Sequence, residues 1–234
     1  MRLGSNQVWN PTHEPSISLA FWLAHYTNVT VESEGIVSHW SQNKDGSTVR
    51  WSQETEAKQP TLSEQNGALG GVDFSGDDYL YGNQITLGGE YVLGIKFKVE
   101  DATASNDVIV GDIDQANNFI RLNDENTIGL KHSSGQKTFN LNNASYFTAE
   151  THHHLVVGRD SSDDIFIWVD GVKQTATANA GGDFLLDGMG ARNSGGTGTN
   201  FFQGVVFELV VFNNLFSDDL AERLSGHLMS LKID

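Results

Sequence analysis

From Tyr91 to Val99 the side chains alternate with a period of two: Tyr91, Leu93, Ile95, Phe97 and Val99 share one face, with Lys96 and Lys98 on the other. Successive side chains of an extended chain point to opposite sides, so this run predicts a half-buried strand. A second run rises from Asp164 through Ile165, Phe166, Ile167, Trp168 and Val169, meets Asp170-Gly171, and resumes at Val172 to continue to Thr177. Asp-Gly between two such runs predicts a tight hairpin, because both central residues of the favoured turn need positive φ. Shorter strands are expected at 154–159, 118–122, 128–132 and 137–141, with turn chemistry at Asn66-Gly67, Ser75-Gly76-Asp77-Asp78, Gly88-Gly89 and Gly181-Gly182. Bends are made by glycine rather than proline, with 25 Gly against 3 Pro.

One segment reads as a helix. Ser217 is a good N-cap, Asp218 and Asp219 favour the first turn, and Leu220, Leu224, Leu228 and Leu231 form one apolar stripe to about residue 231. A lone stripe must find a sheet or a neighbouring chain to pack on. The expected organisation is therefore an N-terminal arm over 1–16 and one all-β domain over 17–234, since 234 residues suit a single sandwich core.

Composition removes several functions. With 14 Lys+Arg against 30 Asp+Glu the formal charge is -16, which repels phosphate backbones and argues against nucleic-acid binding. No apolar run approaches a membrane span. The absence of cysteine removes disulfides, thiolate metal sites and cysteine nucleophiles together. Met1 to Gln7 carries one basic residue with no apolar stretch behind it, so no secretory signal is expected there.

The order of motifs resembles the concanavalin A-like lectin/glucanase superfamily, in its laminin-G-like jelly-roll branch of bacterial and phage type. Trp9-Asn10-Pro11 with Leu19 and Phe21-Trp22-Leu23-Ala24 resembles an opening strand, and Gly35 to Trp40 a second. Gln59-Pro60-Thr61 and Phe74-Ser75-Gly76-Asp77-Asp78-Tyr79-Leu80 are similar to that branch's signatures, and His153 to Arg159, Val169-Asp170-Gly171 and Phe202 to Leu209 to its final strands. The chain departs from the pattern at Ala24-His25 and at Lys44-Asp45-Gly46. The resemblance implies a two-sheet antiparallel jelly-roll sandwich with a C-terminal helix, a fold that hosts lectins, glycosidases and structural domains alike.

Catalysis is not expected. Glucanases of the superfamily carry a Glu-x-Asp-x-x-Glu strand that apposes two carboxyl groups for retaining hydrolysis. Asp112-Ile113-Asp114 has no partner glutamate at the needed offset, and Glu208 stands alone in an apolar run as a hydrogen-bond acceptor. No Gly-x-Ser-x-Gly elbow is present either. His152, His153 and His154 begin a strand, where a structural role outweighs metal ligation. The glycine-rich stretch at Gly195 lacks the lysine and helix of a phosphate cradle.

Two classes of contact remain open. Calcium could be held by loop carboxylates at Asp73, Asp77, Asp78, Asp183 and Asp187, although turn formation is the reading these residues favour. A sugar could stack on an exposed indole: Trp22, Trp40 and Trp168 sit in apolar runs, whereas Trp51 lies between Arg50 and Ser52 and is the better candidate for an exposed ligand contact, a pattern that a partly buried strand residue explains equally well. A lectin-like chain without a signal suggests a bacteriophage virion protein, a capsid decoration or a tail or fibre part. Such a protein would assemble with other virion proteins or copies of itself and could engage a host-surface glycan. The alternative is a carbohydrate-binding module of a secreted or cell-surface bacterial protein, acting in an extracellular setting.

Overall fold

A computed structural model describes residues 9–14, 19–24, 28–32, 35–42, 50–63, 70–100, 106–112, 118–143, 145–194 and 197–231. In chain order the strands are β1 (Leu19–Leu23), β2 (Val29–Val31), β3 (Val37–Ser41), β4 (Arg50–Ser52), β5 (Thr61–Leu62), β6 (Val72–Phe74), β7 (Leu80–Leu87), β8 (Tyr91–Val99), β9 (Asp107–Gly111) and β10 (Phe119–Asp124). They continue as β11 (Thr127–His132), β12 (Gly135–Asn140), β13 (Thr151–Arg159), β14 (Asp164–Val169), β15 (Val172–Lys173), β16 (Ala178–Asn179), β17 (Phe184–Met189), β18 (Arg192–Ser194), β19 (Thr197–Thr199) and β20 (Gly204–Asn213). The chain ends in helix α1 (Asp218–Ser230).

Two nine-stranded antiparallel sheets account for all but the β18–β19 ribbon. The first runs β15-β14-β13-β8-β20-β6-β5, with β1 also on β20 and β16 also on β14. The second runs β12-β11-β10-β9-β17-β7-β4-β3-β2. Their inner faces share one apolar core, in which Leu93, Ile95, Leu155 and Leu209 of the first sheet meet Trp40, Trp51, Ile120 and Leu130 of the second. This is the sandwich expected from the alternating runs, with the jelly-roll-like architecture that the resemblance implies.

The hairpin at Asp170-Gly171 forms as expected, with φ of 50° and 82° and Val169 paired to Val172. Its second arm, expected to reach Thr177, ends at Lys173. The strand at Tyr91 to Val99 forms, but it is not half-buried: all but Lys98 are buried. The reason is α1, which lies on the outer face of the first sheet and buries Val92, Val156, Trp168, Val210 and Phe212 beneath Leu220, Ala221, Leu224 and Leu228. A strand covered on both faces reads as a continuous apolar run, which is the pattern of β13 and β20 as well.

The helix begins where the sequence places it. Ser217 is extended and its hydroxyl accepts from the Leu220 amide. Among the described residues of the expected arm, 9–14 dock rather than project. Trp9 packs on Phe212 and His227, the Arg223 guanidinium stands over its ring, and Glu14 pairs with Arg223. No helix among the described residues is long and apolar enough to cross a membrane.

Candidate functional site

The edge of the second sheet separates two kinds of side chain by strand parity. Trp40 faces Trp51, and Trp51 faces Gly82, across β3, β4 and β7. This row points inward: both tryptophans are fully buried, and Trp51 lies against Phe21 at 4.7 Å between ring centroids. Gly82 lets β7 approach so closely that a Cβ there would sit 2.2 Å from the Arg50 carbonyl oxygen.

The next row points outward. Thr30 of β2 faces His39 of β3, His39 faces Ser52 of β4, and Ser52 faces Tyr81 of β7. Neighbouring strands lie about 4.8 Å apart, so the row spans about 14 Å. Thr30, His39 and Ser52 of this row line a polar cleft of about 410 Å³ whose walls also include Arg50, Gln59 and three carboxylates, Glu32, Glu54 and Glu56. Tyr81, the next member of the row beyond Ser52, is 40% exposed, with Tyr79 at 6.0 Å between ring centroids.

His39 is held in place by hydroxyl groups, with Nε2 2.6 Å from Thr30 Oγ1 and Nδ1 3.2 Å from Ser38 Oγ. Partial burial and the nearby Arg50 charge lower its pKa, against the pull of Glu32, so the ring is neutral at pH 7. Gln59 is oriented by its bond to the Gln53 carbonyl, and Gln53 by bonds from the Thr55 amide and to the Tyr79 carbonyl. Between its charged walls the cleft therefore presents neutral donors and acceptors, Thr30, His39, Ser52 and Gln59, on a sheet that also carries an exposed aromatic face. That combination suits hydrogen bonding to hydroxyl groups and stacking on a flat apolar patch.

Trp51, expected as the exposed ligand contact, is instead a core residue, with Nε1 donating to the Asn83 carbonyl at 3.2 Å. Its polar neighbours Arg50 and Ser52 face outward because they lie on the opposite side of the same strand. The five aspartates are dispersed over several elements. Asp78 closes the turn by accepting from the Ser75 amide and hydroxyl, Asp77 pairs with Lys58, and Asp183 is exposed, whereas Asp187 is buried on β17. Asp73 lies on β6, where burial and the neighbouring Glu100 and Asp78 charges raise its pKa to about 6. No group of three or more His, Asp or Glu side chains gathers for a metal among the described residues.

The histidine run is divided between faces. His153 Nδ1 lies 2.8 Å from Asp170, His154 Nε2 lies 2.9 Å from Ser225 on α1, and His152 stands against Phe207. Glu208 lies beneath the helix, where its Oε1 accepts from Trp22 Nε1 at 2.9 Å and meets His227 Nε2 at 2.6 Å. Asp112 is buried, and Asp114 lies outside the described residues.

No protein-family model and no curated protein sequence matches the chain. Solved structures do match in fold. Domain 4 of AbnA, a GH43 extracellular arabinanase from Geobacillus stearothermophilus solved in complex with arabinotriose, aligns over 89% of this chain and 98% of its own, at TM-score 0.55 and 13% identity. The binding domain of Paraclostridial Mosquitocidal Protein 1 aligns over 91% of this chain and 52% of its own, at TM-score 0.52 and 11% identity. The CBM40 of a Ruminococcus gnavus sialidase covers 58% of this chain and 82% of its own, at TM-score 0.44 and 15% identity. At these identities the likeness is one of fold alone, an antiparallel β-sandwich. Nothing in these similarities bears on a place in a virus particle.

Proposed function

We propose that this protein is a carbohydrate-binding module without catalytic activity of its own, and that it holds its glycan in the cleft over β2, β3, β4 and β7. The observation that carries this reading is the outward row Thr30, His39, Ser52 and Tyr81, which sets neutral hydrogen-bonding groups in line with an exposed aromatic ring. Sugar rings offer hydroxyl edges and an apolar C–H face, and a rigid polar cleft beside a tyrosine complements both. The fold neighbour solved with arabinotriose supports the reading because it uses the same kind of sandwich across nearly its whole length. A glycan-binding role also agrees with the extracellular setting considered from the sequence.

Titration calorimetry with arabinotriose, alongside an array of plant, bacterial and animal glycans, tests the proposal. Binding is expected to weaken about tenfold or more on Tyr81→Ala, and to be largely kept by Tyr81→Phe, since stacking needs the ring rather than the hydroxyl. Binding unaffected by Tyr81→Ala and His39→Ala would move the site elsewhere, and no glycan bound at millimolar concentration would sink the proposal. Release of reducing ends from a bound polysaccharide would overturn the non-catalytic part alone.

A further inference from the structure

We infer that the cleft over β2, β3, β4 and β7 selects uncharged oligosaccharides and rejects glycans bearing carboxylate or sulfate groups. The inference rests on the carbohydrate-binding reading and adds the ligand's charge and extent. Three carboxylates, Glu32, Glu54 and Glu56, line the cleft, and all three residues are exposed. Arg50 is the one Lys or Arg among the described lining residues. His39 adds no charge at pH 7, because burial and Arg50 hold it neutral.

Lys58, a described cation two residues after Glu56, does not redress the balance. Lys58 stands 5.8 Å over the Tyr79 ring, but its ammonium is engaged by Asp77 at 3.5 Å. An acidic sugar entering the cleft therefore meets a net negative wall on a chain whose formal charge is already -16. One exposed guanidinium could pair with a sugar carboxylate, yet such exposed pairs are weak, and three like charges at close range oppose it. A neutral sugar meets none of this repulsion and keeps the hydroxyls of Thr30 and Ser52 and the amide of Gln59 as partners. The row of about 14 Å from Thr30 to Tyr81 is longer than a single sugar ring, so the ligand is an oligosaccharide lying across the strands.

The test compares neutral trisaccharides, arabinotriose and xylotriose, with acidic ones, trigalacturonic acid and sialyllactose, by titration calorimetry at two salt concentrations. A neutral trisaccharide is expected to bind about tenfold tighter than an acidic one in dilute buffer, with the gap closing as salt shortens the screening length. The triple variant Glu32→Gln, Glu54→Gln, Glu56→Gln should draw the neutral-to-acidic ratio towards one. Its melting curve checks folding, which these exposed positions should leave intact. Monosaccharides should bind more weakly than trisaccharides of the same sugar. Acidic glycans that bind as tightly as neutral ones, or a ratio that the triple variant leaves unchanged, would overturn the inference while the carbohydrate-binding reading stands. Failure of both classes to bind would overturn both.

Discussion

Lys96 Nζ donates to the carbonyl of Leu228 at 2.8 Å, so a cation on the first sheet caps the last turn of a helix more than a hundred residues later in the chain. It also reaches the Leu231 carbonyl at 2.9 Å. The last carbonyls of a helix have no intrahelical donors and carry the negative end of its dipole, so an ammonium is the complementary group. Burial lowers the Lys96 pKa, while Asp170 and Glu208 pull it back towards the charged form.

Replacing Lys96 with Met should therefore cost stability even though it removes a buried charge. One buried carbonyl, that of Leu228, and one partly buried, that of Leu231, would lose their donor, and the loss is expected at about 1–3 kcal/mol. Urea unfolding gives the total, and amide exchange localises it: protection should fall in the last turn of α1 while β10 and β11 are unchanged. A variant as stable as the parent would show that water satisfies these carbonyls without the lysine.

The same helix face depends on two glycines of the first sheet. A Cβ at Gly158 would lie 2.3 Å from Phe216 Cε2, and one at Gly94 would lie 2.6 Å from Leu224 Cδ2. In an open strand, exchanging Gly for Ala gains about 0.5–1 kcal/mol of backbone entropy. Here the sign should reverse, because the ring of Phe216 is already stacked on Phe166 at 5.5 Å and has little room to retreat. Gly158→Ala and Gly94→Ala are each expected to lower the unfolding free energy by about 1–3 kcal/mol, and a urea midpoint that rises would contradict the close packing.

Much of this architecture is legible in the sequence because its signals are local. The Asp170-Gly171 turn and the Ser217 cap are decided by the residues that form them, and both occur where expected. What the alternation cannot reveal is which faces are covered twice. Lys96 reads as a solvent-facing residue until α1 arrives from the far end of the chain. Trp51 is the opposite case: polar neighbours on either side suggest exposure, yet in a half-buried strand they mark an inward-facing residue. The row across the candidate cleft needs the mutual register of three consecutive strands, β2, β3 and β4, and of the more distant β7, which no local pattern encodes. Its one local trace is Tyr79-Leu80-Tyr81, where two tyrosines flank a fully buried leucine and so share the outer side.

The buried end of the core should make stability depend on pH through His132. Its Nδ1 lies 3.0 Å from the Ala180 carbonyl and 3.3 Å from Arg159 Nη1, and its Nε2 lies 2.8 Å from the Tyr91 hydroxyl. Arg159, fully buried, fixes the same corner through the carbonyls of Gly89, Leu87 and Gly182. Burial and the Arg159 charge push the His132 pKa down to about 4, from 6.5 in an unfolded chain. The unfolded state then binds more protons between these values, so the stability His132 contributes is complete above pH 6.5 and is lost as pH falls towards 4. The expected loss is about 3 kcal/mol. Asp73 acts with the opposite sign, because its raised pKa, about 6, favours the folded state at low pH and withdraws that support as pH rises from about 4 to 6. Comparison with His132→Phe separates the two, since a phenyl ring keeps the stack on Phe184, 4.8 Å between centroids, but cannot titrate. Unfolding free energies of parent and variant, measured from pH 4 to 7.5, should converge towards the acid end. Parallel curves would mean that His132 is not held neutral by its surroundings.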